Sequence, residues 1–295
     1  MEWLGNIPAA RDVRRKEPLP QRTMIFSDGD RTRAGAEDSL AHALSRRQFV
    51  GEVGGALAVA MIAAAMPDRQ KVVRRTQAIA FDGYAIFDAS ILAKEAEAAV
   101  PGHGRELLAV WRARQFEYQW LRTLGDRYAD FEATGADALL FALETLSLEL
   151  DESRRRQLLE AQTHLVPWPG APDAVDKCRA AGLRLSLLSN MTTRMLDDGA
   201  RRAGIRDAFE HVLSTDRVRA AKPDRRAYAM GPAAFGLPTG AITFVAFAGW
   251  DAAGASWFGL PTIWTNRSAM PAEVLGAENV RVCRGLDEAL PLLMK

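Results

Sequence analysis

Short apolar runs that end in polar side chains recur through the second part of this chain, and they constrain its fold more than any other feature. Stretches of helical character, such as 173–181 and 225–235, separate these runs. Strands that alternate with helices predict an α/β fold with a mostly parallel sheet. The predicted strands are 78–81, 183–188, 211–213 and 242–246.

The polar residues directly after these strands are candidate site residues. Asp82 follows the first predicted strand, and Ser189-Asn190 follow the second. In open α/β sheets, ligands bind at the carboxyl ends of the strands. We therefore expect Asp82 to present its carboxylate at that edge, where it can act as a nucleophile. The alternative is a structural role for Asp82, because Asp is a common helix N-cap.

A helical insert of about a hundred residues separates the first two predicted strands. Its apolar residues have helical spacing, and the predicted helices are 105–124, 136–148 and 153–164. An all-helical insert after the first strand is interpreted as a cap over the site edge. We assign residues 91–165 to the cap, and 67–90 with 166–295 to a Rossmann-like parallel-sheet core.

Composition argues against several classes of function. Lys plus Arg minus Asp plus Glu is 38 − 37 = +1, so there is no basic excess for a nucleic-acid partner. The two cysteines, Cys178 and Cys283, and the four histidines match no metal-site spacing. A disulfide framework and a structural zinc site are therefore not expected.

The first 66 residues are predicted to be a leader and not part of the fold. Residues 1–44 show no sustained apolar period, and Met24 is an alternative start to Met1. Ser45-Arg46-Arg47-Gln48-Phe49 matches the twin-arginine export pattern and precedes an apolar run over 53–66. That run is shorter than the roughly 20 residues that a membrane-spanning helix needs. We therefore expect no stable membrane span once the signal is removed.

Small residues at Ala63 and Ala65 provide a cleavage site for such a signal. The twin-arginine route carries folded proteins, so the mature protein is expected in the periplasm or in another exported compartment. The alternative interpretation of 45–66 is an ordinary amphipathic or buried helix after a basic loop.

Five motifs occur in a fixed order over roughly residues 76–295. They are Phe81-Asp82-Gly83-Tyr84, Trp111 to Tyr118, Leu188-Ser189-Asn190, Lys222-Pro223-Asp224 with Tyr228, and Gly249 to Ala255. Together they resemble the type II L-2-haloacid dehalogenases of the haloacid dehalogenase superfamily. The resemblance implies hydrolysis of short L-2-haloalkanoic acids to 2-hydroxyacids, without a cofactor. The partner is then a small 2-haloacid substrate.

The resemblance also implies roles for the ionic residues. Asp82 attacks the halogen-bearing carbon and forms an ester with the substrate. Lys222 keeps the Asp82 carboxylate ionised and oriented, because a nearby cation favours the charged form. Asp251 pairs with Lys222 and helps a water molecule to attack the ester.

The remaining candidates bind the substrate in this scheme. Arg112 and Asn190 accept the departing halide, and Ser189 binds the substrate carboxylate together with backbone N–H groups. The apolar walls that exclude competing water are Tyr84, Phe131 and Trp250.

Two positions favour a metal-free dehalogenase over a phosphatase. The superfamily's phosphatases carry a second Asp two residues after the nucleophile, where this chain has Tyr84. They also hold magnesium with an acidic cluster near the last motif, where this chain has Phe247 four residues before Asp251. No metal ligand is therefore predicted. The alternatives are a divergent, phosphatase-like hydrolase of the same superfamily and a catalytically weakened binding scaffold.

Departures from the family pattern leave some properties open. The family places Ser and Asn where this chain has Ala246 and Ala248, and its first-motif loop differs over 85–88. We expect hydrolysis of the ester to be slowed or differently organised. The preferred halogen, chain length, enantiomer and oligomeric state are not fixed by the sequence. The stretch 120–124 is a candidate homodimer contact or, alternatively, part of the core.

Overall fold

A computed structural model describes residues 76–294 of the chain. The predicted leader, with its twin-arginine motif and cleavage site, lies outside the described residues. Within residues 76–294 the chain forms eight strands and ten α-helices. The strands are β1 (Ala78–Phe81), β2 (Phe87–Asp88), β3 (Val166–Pro167), β4 (Arg184–Ser189), β5 (His211–Ser214), β6 (Ile242–Ala246), β7 (Thr262–Thr265) and β8 (Val280–Cys283).

The helices follow the strands in the alternating order that the sequence predicts. They are α1 (Gly83–Ile86), α2 (Ile91–Ala99), α3 (Gly104–Leu124), α4 (Phe131–Thr145), α5 (Glu152–Thr163), α6 (Ala171–Ala180), α7 (Thr193–Arg202), α8 (Arg225–Phe235), α9 (Gly249–Phe258) and α10 (Leu286–Leu293). The predicted α/β class is confirmed.

Six strands form one sheet in the order β5-β4-β1-β6-β7-β8, and every pairing in it is parallel. The chain builds outward from β1 through β4 to β5, then returns to the other side of β1 with β6. The strand order therefore reverses beside β1, which is the point where ligands bind in sheets of this kind. Asp82 directly follows β1 at that point.

Both faces of this sheet are covered by helices. Along β1, Ile79 and Phe81 join one buried apolar cluster, while Ala78 and Ala80 join another. Successive side chains of a strand point to opposite faces, so each cluster lies on its own side of the sheet. A strand that is apolar on both faces is typical of a parallel sheet buried between helices.

Four helices, α2 to α5, lie between β2 and β3 and fall within the range assigned to the cap. They enclose their own apolar cluster, in which Trp111 and Leu108 of α3 pack with Leu139 of α4 and Leu158 of α5. The short strands β2 and β3 pair antiparallel, which joins the two chain segments that lead into and out of this region.

Several element boundaries differ from the sequence predictions. Helix α4 begins at Phe131, five residues before the predicted start, because the Asp130 side chain accepts a hydrogen bond from the Ala133 N–H and caps it. Strands β7 and β8 were not predicted. In the stretch 120–124, Leu121 and Leu124 are 61% and 84% exposed, so these two side chains are not core. The homodimer remains a prediction.

No helix among the described residues is long and apolar enough to cross a membrane.

Candidate active site

Asp82 stands at the end of β1 with both carboxylate oxygens occupied. Its Oδ2 accepts a hydrogen bond from the Tyr84 N–H at 3.0 Å, so Asp82 is the N-cap of α1. Its Oδ1 accepts from Lys222 Nζ at 2.8 Å and lies 3.4 Å from the Ser189 hydroxyl. The structural alternative raised for Asp82 is therefore true as well. The cap bond fixes the rotamer that turns Oδ1 toward Lys222.

Lys222 is a buried cation held between two buried carboxylates. Its Nζ lies 2.8 Å from Asp82 Oδ1 and 2.6 Å from Asp251 Oδ2, and it also donates to the Leu188 carbonyl. The side chain is 1% exposed. Burial lowers the pKa of Lys222, but the attraction of the two carboxylates outweighs it, so that pKa lies above its ordinary value. Lys222 therefore stays charged and offsets the charge of Asp82.

Asp251, on the first turn of α9, has a second partner in Tyr228 of α8. The Tyr228 hydroxyl donates to Asp251 Oδ1 at 2.7 Å. Burial, and then the Asp251 charge, raise the pKa of Tyr228 well above its ordinary value, so it stays a donor. A side chain at Gly254 would come within 2.5 Å of this hydroxyl. Glycine at 254 is therefore required for Tyr228 to reach Asp251.

The electrostatics of Asp251 suit a group that exchanges a proton near neutral pH. Burial and, to a smaller extent, the charge of Asp82 raise the pKa of Asp251 to about 6, against the opposing attraction of Lys222. A general base is most effective when its pKa lies near the working pH. Asp251 is therefore suited to accept a proton from a water molecule.

A cavity opens over these groups, between the sheet edge and α3. Its volume is about 60 Å³, well above the roughly 10–15 Å³ that a single water molecule needs. The cavity is lined by Asp82, Tyr84, Arg112, Phe116, Phe131, Ser189, Asn190, Lys222, Phe247, Ala248, Trp250 and Asp251. The structure thus brings all nine sequence-predicted site residues to one cavity.

Arg112 projects from α3 into the upper part of this cavity. Its guanidinium carbon lies 4.9 Å from the centre of the Tyr84 ring, within the range of a cation–π contact. Phe116 lies one turn further along α3 and contacts Trp250 at 5.5 Å between ring centres. The cavity therefore combines the cationic group of Arg112, opposite the Lys222 ammonium at its floor, with a mostly aromatic wall.

Ser189 and Asn190 end β4 beside β1, as the sequence predicts. The Ser189 hydroxyl accepts from the Met191 N–H at 3.3 Å, and its oxygen lies near Asp82. Asn190 Oδ1 accepts from the Lys222 backbone N–H at 2.8 Å. Asn190 therefore helps to hold the segment that carries Lys222, a contact that the sequence does not reveal.

The sequence did not identify several residues that line the cavity or hold its catalytic candidates in place. In the sequence, Phe247 is notable only because it stands where a metal-binding acid would be expected. In the structure its ring lies 5.8 Å from that of Tyr84 and forms part of the cavity wall. Tyr228 lies in one of the five family motifs, but no role was predicted for it. Gln119 and Thr123 of α3 were not singled out. Their contacts connect segments distant in the chain, so local sequence patterns carry no signal for them.

The acidic residues of the site do not form a metal cluster. No group of three or more His, Cys, Asp or Glu side chains able to hold a metal ion occurs within residues 76–294. Tyr84 and Phe247 face the cavity where carboxylates would be needed to share a cation with Asp82 and Asp251.

Three comparisons relate this chain to known proteins. Residues 58–259 match the family model of haloacid dehalogenase-like hydrolases. The (S)-2-haloacid dehalogenase of Pseudomonas sp. (strain YL) is 42% identical over 67% of this chain and 86% of its own. Haloacetate dehalogenase H-2 of Moraxella sp. (strain B) is 36% identical over 69% of this chain and 92% of its own.

A solved structure has the same fold. The L-2-haloacid dehalogenase of Xanthobacter autotrophicus, with chloropropionic acid covalently bound, superposes with a TM-score of 0.68 and 32% identity over 74% of this chain and 98% of its own. The chain belongs to the family of haloacid dehalogenase-like hydrolases. Within that family, its relatives named here are dehalogenases of 2-haloacids or haloacetate.

Hydrolysis of an ester on Asp82 is expected to slow as the pH falls through about 6. Protonation removes the ability of Asp251 to accept a proton from water, and its pKa lies near that value. Once Asp82 is esterified its charge no longer raises this pKa, so the midpoint is expected at or just below pH 6. Single-turnover release of 2-hydroxyacid between pH 5 and 8 measures it.

The matched variant for this pH dependence is Tyr228→Phe. The Tyr228 hydrogen bond lowers the pKa of Asp251, so its removal is expected to move the midpoint to higher pH. A rate that is constant from pH 5 to 8 in the parent, or a midpoint unchanged in Tyr228→Phe, would contradict the role assigned to Asp251.

Proposed function

We propose that this protein hydrolyses short L-2-haloalkanoic acids to 2-hydroxyacids, through an ester on Asp82 and without a metal ion. One observation carries the proposal. A single buried ammonium, Lys222 Nζ, lies within hydrogen-bond distance of both Asp82 and Asp251. This arrangement holds one carboxylate ready as a nucleophile and a second ready as a base, at the floor of a small aromatic cavity.

In the first step an Asp82 oxygen attacks the halogen-bearing carbon from the side opposite the halogen. A carbon–oxygen bond forms as the carbon–halogen bond breaks, and the halide leaves with the bonding electron pair. Arg112 and Asn190 are proposed to receive the halide. The substrate carboxylate is proposed to bind at Ser189 and the N–H groups that follow it. A halide leaving group takes no proton, which agrees with Tyr84 in place of a general acid.

In the second step a water molecule attacks the ester carbonyl carbon of Asp82. Asp251 takes one proton from this water as the adduct forms. The bond between the Asp82 carboxyl carbon and the substrate oxygen then breaks, and Asp251 returns the proton to that oxygen as the 2-hydroxyacid departs. The second proton of the water is released, which regenerates the Asp82 carboxylate. Because carbon inverts only in the first step, an L substrate yields a D product. Ala246 and Ala248 bring no polar side chain to this region, so Lys222 and Tyr228 are the side chains that orient Asp251.

The size of the cavity favours short substrates. A volume of about 60 Å³ is far below the roughly 300–1,000 Å³ of pockets that hold drug-sized ligands. Phe116, Phe131 and Phe247 close the cavity on its apolar side. Acids with long alkyl chains are therefore expected to be poor substrates.

The experiment is halide release from each enantiomer of 2-chloropropionate, measured with residues 67–295 and with the full chain, in the presence and absence of a metal chelator. Release from the L form that resists the chelator supports the proposal. Release that requires a divalent cation would instead support the phosphatase-like alternative. No release from either enantiomer, together with no ester on Asp82 by mass spectrometry, would contradict the proposed function.

We further propose that residues 45–66 direct export by the twin-arginine route. The support is the order of features: Ser45-Arg46-Arg47-Gln48-Phe49, a short apolar run, and small residues at Ala63 and Ala65. The family match begins at residue 58 and so overlaps the end of this segment. Export of a reporter fused after residue 66, lost on replacement of Arg46 and Arg47 by Lys, is the expected result. Export that persists in the Lys variant would argue for a different role.

A further inference from the structure

Gln119 is a buried amide on α3 whose side chain is directed at the core and not at its own helical neighbours. Its side chain is nearly inaccessible, with the residue 4% exposed. Gln119 Oε1 accepts a hydrogen bond from Asn190 Nδ2 at 2.9 Å, across 71 residues of sequence. A buried polar group is costly unless it is paired. This pairing therefore ties the cap helix to a residue that lines the cavity.

The Asn190 amide is oriented by partners at both ends. Its Oδ1 accepts from the Lys222 backbone N–H at 2.8 Å and lies 3.4 Å from the Thr215 hydroxyl. Its Nδ2 has two N–H groups, of which one donates to Gln119. Because Gln119 offers an acceptor here, a flipped Asn190 amide would place two carbonyl oxygens against each other. The Lys222 N–H requires the acceptor end of the Asn190 amide, and Gln119 holds the donor end in place by accepting one of its two N–H groups.

The same face of α3 holds the segment that carries Lys222. Trp120 Nε1 donates to the Lys222 carbonyl at 3.1 Å, and the Ala221 N–H donates to Thr123 Oγ1 at 3.0 Å. Thr123 Oγ1 in turn donates to the Gln119 carbonyl at 2.7 Å. Side chains one turn apart on α3 thus contact Asn190 and both residues of the 221–222 segment.

We propose that Gln119 is a positioning residue for halide departure. By accepting from one Asn190 N–H it leaves the other for the cavity, which Asn190 lines together with Arg112 of the same helix. The proposal rests on the proposed dehalogenase function. It adds that α3 organises the part of the site that receives the halide. Arg112 of this helix contacts the halide itself, and Gln119 of the same helix acts through Asn190.

The leaving group provides a measurement that a loss of packing would not affect. Chloride concentrates its charge in a smaller ion than bromide and is the poorer leaving group. A correctly directed N–H donor therefore stabilises departing chloride more than departing bromide. In a variant that misdirects Asn190, the rate of halide release should fall more with 2-chloropropionate than with 2-bromopropionate. A variant that merely loosens the cap should lose equally with both.

The test is single-turnover halide release by Gln119→Met and Gln119→Ala, each also combined with Asn190→Ala. Both variants remove the oxygen that accepts from Asn190. Gln119→Met keeps a similar side-chain volume, and Gln119→Ala introduces a strong helix former. The test therefore does not depend on the folding of a single variant. We expect a loss of about ten-fold with 2-chloropropionate and about two-fold with 2-bromopropionate. In the Asn190→Ala background we expect no further loss, because the two residues act through one contact.

The matched control is Thr134→Val, which removes a buried hydroxyl of α4 whose partners, Arg122 and the Ala129 carbonyl, both lie outside the cavity. It should change thermal stability and leave the chloride-to-bromide rate ratio unchanged. Equal losses with both substrates in the Gln119 variants, or losses that persist in the Asn190→Ala background, would overturn the proposal.

Bromide binding to the resting protein separates this inference from the proposed function. The fluorescence of Trp120 and Trp250, beside the site, reports that binding without turnover. Weaker bromide binding in Gln119→Met than in the parent supports the role of Gln119 even if the parent releases no halide from 2-chloropropionate. Equal bromide affinity in the two proteins would overturn it.

Discussion

Replacing Asp82 with Asn is expected to reduce halide release from L-2-chloropropionate by at least about 10⁴-fold, since loss of a nucleophile removes the chemical step itself. The amide nitrogen of Asn cannot displace the halide, while its shape preserves the cavity. Its one amide oxygen can still accept the Tyr84 N–H that caps α1, but the amide nitrogen then faces the Lys222 ammonium, where the parent has a carboxylate oxygen. The variant also loses the buried ionic contact with Lys222, so it should unfold at a lower temperature than the parent. The loss in kcat is therefore measured at a temperature at which both proteins are folded.

The control for this variant is Asp137→Asn. It makes the same chemical change at an exposed residue of helix α4 that pairs with Arg122. It should retain parental activity. Mass spectrometry after rapid quenching should find substrate-derived mass on the peptide that contains Asp82 in the parent and none in Asp82→Asn. Halide release by Asp82→Asn within about ten-fold of the parent would mean that water, and not Asp82, attacks the substrate.

Replacing Lys222 with Met is expected to lower both stability and activity. The change leaves Asp82 and Asp251 facing each other in a buried site without their shared cation. Removing one partner of a buried ion pair costs about 3–5 kcal/mol, and losing a positioned charge at the reacting group costs at least about 10²–10³-fold in rate. Urea unfolding and halide release measure the two effects.

A surface cation near Lys222 in the sequence gives the contrast. Arg226 pairs with Asp224 and is 51% exposed, so Arg226→Met should leave the stability close to that of the parent, because exposed ion pairs contribute little. Its halide release should match the parent. If Lys222→Met were as stable and as active as Arg226→Met, the buried triad would not be the catalytic arrangement proposed here.

The parts of the site that follow strand ends were predictable from sequence. Asp82 and Ser189-Asn190 each come directly after an apolar run, and parallel strands bring their carboxyl ends to one edge. Asp251 and Lys222 required the family motifs, because each lies beyond the end of its strand, on a helix or in a loop. The aromatic walls were predicted in part, through Tyr84, Phe131 and Trp250.

What the sequence did not reveal depends on distances that only folding sets. Gln119 is a polar residue on an otherwise amphipathic helix, and its helical spacing does not say that Asn190 lies opposite. Strand β7 has threonine at both ends and only two apolar residues between them, so it lacks the continuous apolar run that predicted β1. The start of α4 is set by the Asp130 cap, which apolar periodicity does not detect.

The bonds from α3 to Asn190, Ala221 and Lys222 have a consequence for how such enzymes can be recombined. A cap transplanted from a relative would bring its own residues to positions 119, 120 and 123, and the recipient's lysine segment would lose its anchors. Cap and core in this chain are therefore not interchangeable modules. A functional chimera would have to carry residues 190 and 221–222 together with the helix that holds them.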